Sequence, residues 1–461
     1  MLARVLTSML AVAALAGQGG QRPASLILTN ALVVTMDQAG RVLAPGAIAI
    51  EGARIVDIGT PEAVAGRYRS ADTIDVRGDV VMPGLVNTHT HAPMVLYRGL
   101  ADDLALMDWL QKYIFPAEAR TVTPGFVRAG TRLAALEMIR SGTTTYADMY
   151  YFEEEIARVT KAAGLRGVLG QTIIQFPAPD AKTPAEGLAR TARFIREFRR
   201  DDLIVPAVAP HSMYTLDAET LQASRRLADR EDVPLIIHLA ETRDEVAIAK
   251  QKHNATPARF LETLGVLGGR TLAAHGVHLT SDDITLLKER RVAVSHNPES
   301  NMKLASGTAP VLPLRAAGVP VGLGTDGAAS NNDLDMFEAM RQAALLHKLQ
   351  SGDPRALPAG DVLAMATREG AEALGMAGEI GSLEPGKRAD LIVVSMRAAR
   401  QTPMYDPLSH LVYVTRGDDV RTTIVNGRIL MRDGTVLTLD ETGVLTEARE
   451  RAESVRGAVG R

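Results

Sequence analysis

The sequence predicts an α/β chain: a (β/α)8 barrel with a small β-sandwich built from both chain ends. Three observations lead there. Between Gly84 and Leu374, apolar runs of strand length alternate with helical segments eight times over. On either side the pattern changes to short β-branched runs broken by Gly, Asp and Pro. Several inner runs end on histidine or a carboxylate, as expected of the barrel face where the carboxyl ends of the strands converge.

Taken in order, residues 1–17 carry one basic residue, Arg4, and an apolar stretch closing on Ala14-Leu15-Ala16, an A-x-A pattern. They read as a signal peptide, which would export the protein to the periplasm. The alternatives are a frayed or buried N-terminal helix or an over-extended gene start, either of which leaves a cytoplasmic protein. No other segment reaches the ~18 uninterrupted apolar residues of a membrane-spanning helix.

The N-terminal part of the sandwich is expected over 24–83, in LILTNALVVTMD, APGAIAIEGARIVDIG and TIDVRGDVVMPG. The barrel follows over 84–380. Its strands are expected at 81–89, 143–149, 167–174, 204–210, 235–240, 271–275, 292–296 and 319–324, with helices such as 124–141 and 281–290 between them. ADLIVVSM and DDVRTTIVNGRILMRDG return to short strands over 381–436, and Asn426-Gly427 is a hairpin-turn signal. The two β segments pair into one sandwich; a separate C-terminal β-domain is the alternative. Residues 437–461 form a charged surface helix.

Composition narrows the chemistry. With 46% apolar and 23% charged residues, the chain is an ordinary globular protein. A net charge of -3 gives nucleic acid or an anionic membrane no basic footprint. There is no cysteine, so disulfides, zinc thiolates and Cys nucleophiles are excluded. Any metal must be held by His and carboxylate.

The ligand candidates start with His89 and His91, one residue apart at the end of VVMPGLVNTHTH. Side chains alternate along a strand, so both imidazoles share a face. His238 ends the apolar run in PLIIHLAET, His275 the one in TLAAHGVH, and Asp326 the one in VPVGLGTDG. His211, Glu241 and His296 lie at or just past other strand ends, and His278 falls nearby. His253, His347 and His410 do not, and are read as surface or packing residues. Imidazoles with a carboxylate suit one divalent cation per subunit, Zn2+ first and Fe2+ second. Such a cation lowers the pKa of bound water from about 16 toward ~7. Glu241, three residues after His238, is placed to move the proton; a helix N-terminus would favour a carboxylate there anyway.

HTHAPMVLYRGLADD, HLAET, AAHGVHL, SHNPESNMKLA and GTDGAASNN, in this order, resemble the amidohydrolase superfamily. The nearest resemblance is to its 5'-methylthioadenosine/S-adenosylhomocysteine deaminases and their triazine hydrolase relatives, over Leu26 to about Gly434. The resemblance implies that His89, His91, His238 and Asp326 are the metal ligands and that Glu241 shuttles a proton to the ring nitrogen. His275 would orient the attacking water, and Asp326 would also accept its proton. Glu118, in YIFPAEA, matches the carboxylate that holds the ribose hydroxyls, and His211, in APHSMYT, matches the contact to the purine ring. His296 counts among the substrate contacts. Trp109 packs on an apolar part of the substrate or simply in the core.

The expected reaction is hydrolytic deamination of an adenine nucleoside by a homo-oligomeric enzyme. The fourth strand ends in VAPH, without the lysine that would bridge two metals, which favours a mononuclear site and weakens an amide-hydrolase reading. No phosphate-binding Gly-rich loop or G-x-S-x-G elbow is present. Residues 167–181 contain no Arg or Lys for a homocysteine carboxylate; Arg98, Lys182, Lys303 or a second subunit would have to serve. Rival readings are hydrolysis of another heterocycle (a triazine, guanine or an oxidised purine) and a non-catalytic metal-binding member of the fold.

Overall fold

The computed structural model describes residues 21–459; the signal-like segment 1–17 lies outside them. Among the described residues, no helix is long and apolar enough to cross a membrane.

Eight parallel strands form the barrel: β1 Leu85–Thr90, β2 Thr143–Tyr150, β3 Arg166–Ile173, β4 Ile204–Pro210, β5 Leu235–Leu239, β6 Thr271–His275, β7 Ala293–His296 and β8 Val321–Leu323. Each pairs with its neighbour in sequence. The two ends meet where Asp326 N donates to His89 O at 2.9 Å and Asn87 Nδ2 to Thr325 Oγ1 at 2.7 Å.

Alternation along the strands sorts the core. Val86, Ala147, Val168, Ala209, Ile236, Leu272 and Ala293 point inward and form one cluster. Their neighbours Leu85, Leu169, Val208, Leu235, Ile237, Ala273 and Val294 point outward against the helices. Four helices begin with a Thr-Pro pair, at Thr60, Thr123, Thr183 and Thr256, whose hydroxyl accepts from a backbone N–H of the first turn. The hydroxyl satisfies an orphan donor and proline loses nothing at the first helical position.

The expected strand 81–89 is two strands. Val80–Pro83 belongs to the outer sheet, and β1 starts at Leu85. Gly84 marks the break, because a Cβ there would lie 2.1 Å from the Thr144 side chain. A continuous apolar run hid the change of sheet.

The chain ends share one hydrogen-bonded sheet of nine strands. Val80–Pro83 pairs in parallel with Leu26–Val34 and antiparallel with Leu391–Val394, which joins the N-terminal and C-terminal strands. Leu28, Ile48 and Ile50 pack with Leu391, Val393 and Ile424 in a single core. Asn426 and Gly427 connect Val420–Val425 to Arg428–Arg432, both at positive φ, as a two-residue hairpin turn requires.

Helix α1 (Phe115–Thr121) precedes helix α2 (Pro124–Arg140) on the barrel wall. The last helix, α3 (Glu441–Val459), packs across both. It buries Val444, Ala448 and Val455, and Arg132 meets Glu447 at 2.7 Å, so its charged face is only part of it.

A buried ion pair fastens the sheet to the barrel. Arg166, at the start of β3, donates from Nε to Asp390 Oδ2 at 2.8 Å, and Asp390 Oδ1 accepts from Asn426 N at 2.6 Å. Both side chains are almost fully buried. Asp390→Ala would leave the guanidinium buried without its counter-charge. Urea denaturation is expected to show a loss of about 3–5 kcal/mol, whereas the apolar double replacement Arg166→Met/Asp390→Leu should lose less, about 1–3 kcal/mol for the Asn426 N–H left without its acceptor.

Candidate metal and catalytic centre

The strand ends converge as the barrel requires. His89 of β1 and His91 just past its end have ring centroids 4.9 Å apart, and His89 lies 5.0 Å from His238 of β5 and 5.4 Å from His275 of β6. Asp326 follows β8, with Oδ1 3.3 Å from His91 Nε2 and 3.5 Å from His89 Nε2. Two groups of donor atoms close enough to share a cation result: His89, His91 and Asp326, and His89, His238 and His275.

The hydrogen bonds around these rings say which nitrogens remain available. His91 Nδ1 donates to Met149 O at 2.7 Å, and His238 Nδ1 to His211 O at 2.9 Å. A carbonyl can only accept, so each ring keeps a lone pair on Nε2. His275 Nδ1 is 2.9 Å from Asn301 Oδ1, which orients it the same way. His89 is fully buried, and among the described residues neither of its nitrogens has a hydrogen-bond partner. An orphaned imidazole in a dry interior is costly unless something else binds it. This donor set therefore fits a divalent cation.

Burial pushes the His89 and His238 imidazoles well below their ordinary range, which keeps them neutral and able to ligate. Burial would raise the Asp326 carboxyl, but the imidazoles of His275, His89 and His91 outweigh it and hold that group below the usual carboxylate range. Asp326 Oδ2 accepts from Ser300 Oγ at 2.7 Å and Ser330 Oγ at 3.0 Å. Glu241 Oε2 stands 3.8 Å from His275 Nε2, and burial pushes its carboxyl up.

Three non-glycine residues here occupy the left-handed region: Ala240 at φ 51°, Asp326 at 62° and His275 at 73°. Strained backbone of this kind gathers at functional sites, because it aims side chains where regular strands would not.

A cleft opens over the cluster. His91, His211, His238, Glu241, His275 and Asp326 line its inner end, and Trp109, Leu110, Phe115, Met149 and Leu304 form apolar walls. Glu118, on α1, also lines it. That carboxylate is buried and accepts from Tyr150 OH at 2.7 Å, and burial raises its pKa to about 7. Trp109 directly precedes a π-helical turn, Leu110–Ile114, an irregularity common near functional sites. His211 is neutral, its pKa lowered to about 3 by burial, and its Nδ1 lies 3.2 Å from Thr215 Oγ1.

His296 differs from its expected place. It is fully buried outside the cleft lining, with Nε2 3.1 Å from Nε2 of His347, itself buried and not a surface residue. Parity explains this. In β5, Ile236 and His238 point inward; in β7, Ala293 and Ser295 do, so His296 faces the helices. His275 has the outward parity too, and its left-handed backbone turns it back. His278 Nε2 contacts Ser306 O at 2.8 Å, His253 stacks on Phe260, and His410 contacts Asp406 O at 3.2 Å within its own helix. Of the cations considered for a carboxylate ligand, Arg98 pairs with Glu137, Lys303 with Asp102 at 2.6 Å, and Lys182 is exposed.

Several site residues went unassigned in the sequence. Glu245 accepts from the backbone N–H of Ala240 at 3.0 Å and of Glu241 at 2.9 Å, fixing the strained turn that aims Glu241. Its signal was the Thr242-x-x-Glu245 spacing of a capping box. Asn301, Ser300 and Ser330 sat inside quoted motifs with no local pattern to mark them. Asp148 lies inside β2 between the inward-facing Ala147 and Met149, so the strand-end rule that found the histidines does not mark it.

Residues 80–430 match the amidohydrolase family. The chain is 48% identical over 437 residues to a 5-methylthioadenosine/S-adenosylhomocysteine deaminase of Syntrophobacter fumaroxidans, covering 95% of this chain and all of that one. It is 47% identical over 435 residues to a 5'-deoxyadenosine deaminase of Methanosarcina mazei, covering 94% and 98%. The crystal structure of an adenosine deaminase from Xanthomonas campestris with bound zinc superimposes with a TM-score of 0.93 at 39% identity, covering 95% of this chain and all of the other.

Proposed function

The chain belongs to the amidohydrolase family, and from that premise we propose a zinc-dependent hydrolytic deaminase that converts an adenine nucleoside to its inosine analogue and ammonia. Candidate substrates are 5'-methylthioadenosine, S-adenosylhomocysteine, 5'-deoxyadenosine and adenosine. The observation that carries this reading is Glu118: a buried carboxylate, bonded to Tyr150 OH, in the same cleft as Glu241 and His275. One end suits attack on a ring, and the other suits a pair of hydroxyls.

His89, His91, His238 and Asp326 would hold the cation. Bound there, a divalent cation supplies water of lowered pKa at neutral pH. Glu241 takes a proton from the attacking water and gives it to the ring nitrogen beside the amine-bearing carbon. His275, fixed by Asn301, orients that water, and Asp326 accepts its remaining proton. Asp326 passes that proton to the amine, which leaves as ammonia. His211, neutral and held by Thr215, contacts the purine ring, and Trp109 covers an apolar part of the nucleoside. Glu118 accepts from the ribose hydroxyls.

Ammonia release from the zinc-loaded protein tests this, on the four nucleosides with adenine and guanine alongside, and chloride release is followed on a chlorotriazine. Release from nucleosides and not from the bases or the triazine is the expected result. Activity confined to the bases or the triazine would overturn the substrate and keep the site; no release from any of them would overturn the reading.

A further inference from the structure

We propose that Asp148 is a positioning residue for the cation site, holding the His89–His91 run in the shape that ligation needs. The inference rests on those two histidines binding the cation. Strands β1 and β2 pair with Asn87 opposite Tyr146 and Thr90 opposite Asp148, so β1 carries one residue more than β2 between these pairs. The extra residue is a bulge, and it falls where His89 sits. A bulge frees a side chain from the ladder, and it also leaves the strand without the bonds that would fix it.

The Asp148 side chain supplies them. Its Oδ1 accepts from Thr90 Oγ1 at 2.6 Å and from Ala92 N at 2.6 Å. Met149 O, the next residue of β2, accepts from His91 Nδ1 at 2.7 Å. Two consecutive β2 residues thus grip His91 on both flanks and by its ring. Asp148 is 1% exposed, and its other oxygen, Oδ2, has no hydrogen-bond partner among the described residues. A buried carboxylate with a spare oxygen is a poor choice for packing alone. Groups that orient metal ligands without touching the metal commonly change metal affinity by about 10–100-fold when removed.

Zinc affinity, measured by competition with a chromophoric chelator, tests the proposal on Asp148→Ala, Asp148→Asn and Thr90→Val, with circular dichroism and a thermal melt beside it. Folded Asp148→Ala is expected to bind zinc about 10–100-fold more weakly and to recover kcat in excess zinc. A merely structural role would lower the melting temperature and leave zinc affinity alone. Unchanged affinity in folded Asp148→Ala overturns the proposal. If that variant does not fold, unchanged affinity in both Asp148→Asn and Thr90→Val does so, whereas a several-fold loss in either supports it. His91→Ala separates the premise: zinc affinity equal to wild type there would overturn the ligand reading itself.

Discussion

Glu241→Gln is expected to lower kcat for nucleoside deamination by about 10³-fold, with zinc content unchanged. Glutamine keeps the volume and polarity of the side chain but can neither take a proton from water nor pass one to a ring nitrogen. The loss corresponds to about 4 kcal/mol of transition-state stabilisation. Fold and cation site should be untouched, because the contacts that shape this turn run from the backbone N–H groups of Ala240 and Glu241 to Glu245, not through the Glu241 side chain. Metal analysis and single-turnover kinetics on the variant check both halves. A rate within tenfold of wild type would remove Glu241 from the proposed proton path.

Glu118→Ala is expected to cost about 10²–10⁴-fold in kcat/KM on nucleosides and little on any residual turnover of free adenine. Two hydrogen bonds to a charged acceptor contribute about 1.5–3 kcal/mol each, and a base without ribose makes neither. Equal losses on nucleoside and base would sink the ribose role. The same carboxyl has a pH signature. Burial raises its pKa to about 7, so in the free protein it is largely protonated below that pH and ionised above it. The ionised form accepts two hydroxyls and the protonated form accepts less well. KM for nucleosides should therefore fall as pH rises through about 7, while KM for adenine should not follow.

Much of this was legible in the chain because barrel chemistry is written at strand ends. Short apolar runs suffice to place His89, His91, His238 and Asp326 at one end of the barrel, but the bulge that turns His89 inward and the left-handed φ of Asp326 have no residue pattern. The same rule mistook His296, because strand ends announce themselves in sequence while their parity depends on where pairing starts. His275 was reached only through a left-handed φ that no residue pattern encodes. Glu118 rests on a short helix after a π-helical turn, and its place over the cluster follows from packing, so only the resemblance indicated it. Asp148 meets Thr90 from the neighbouring strand and Asn301 meets His275 from a helix, contacts that local periodicity does not report.

The sheet shared by the two chain ends has a consequence for biosynthesis. Val80–Pro83, the strand that leads into the barrel, finds one neighbour in Leu26–Val34 early, but its other neighbour, Leu391–Val394, emerges from the ribosome only after all eight barrel strands. Until then the nascent chain presents an open strand edge, and closing so distant a pairing is slow. Arg166 waits in the same way for Asp390. The final strands thus act as the last stitch of the molecule, and chains cut short before them would leave an edge open to other chains and a buried arginine without its counter-charge.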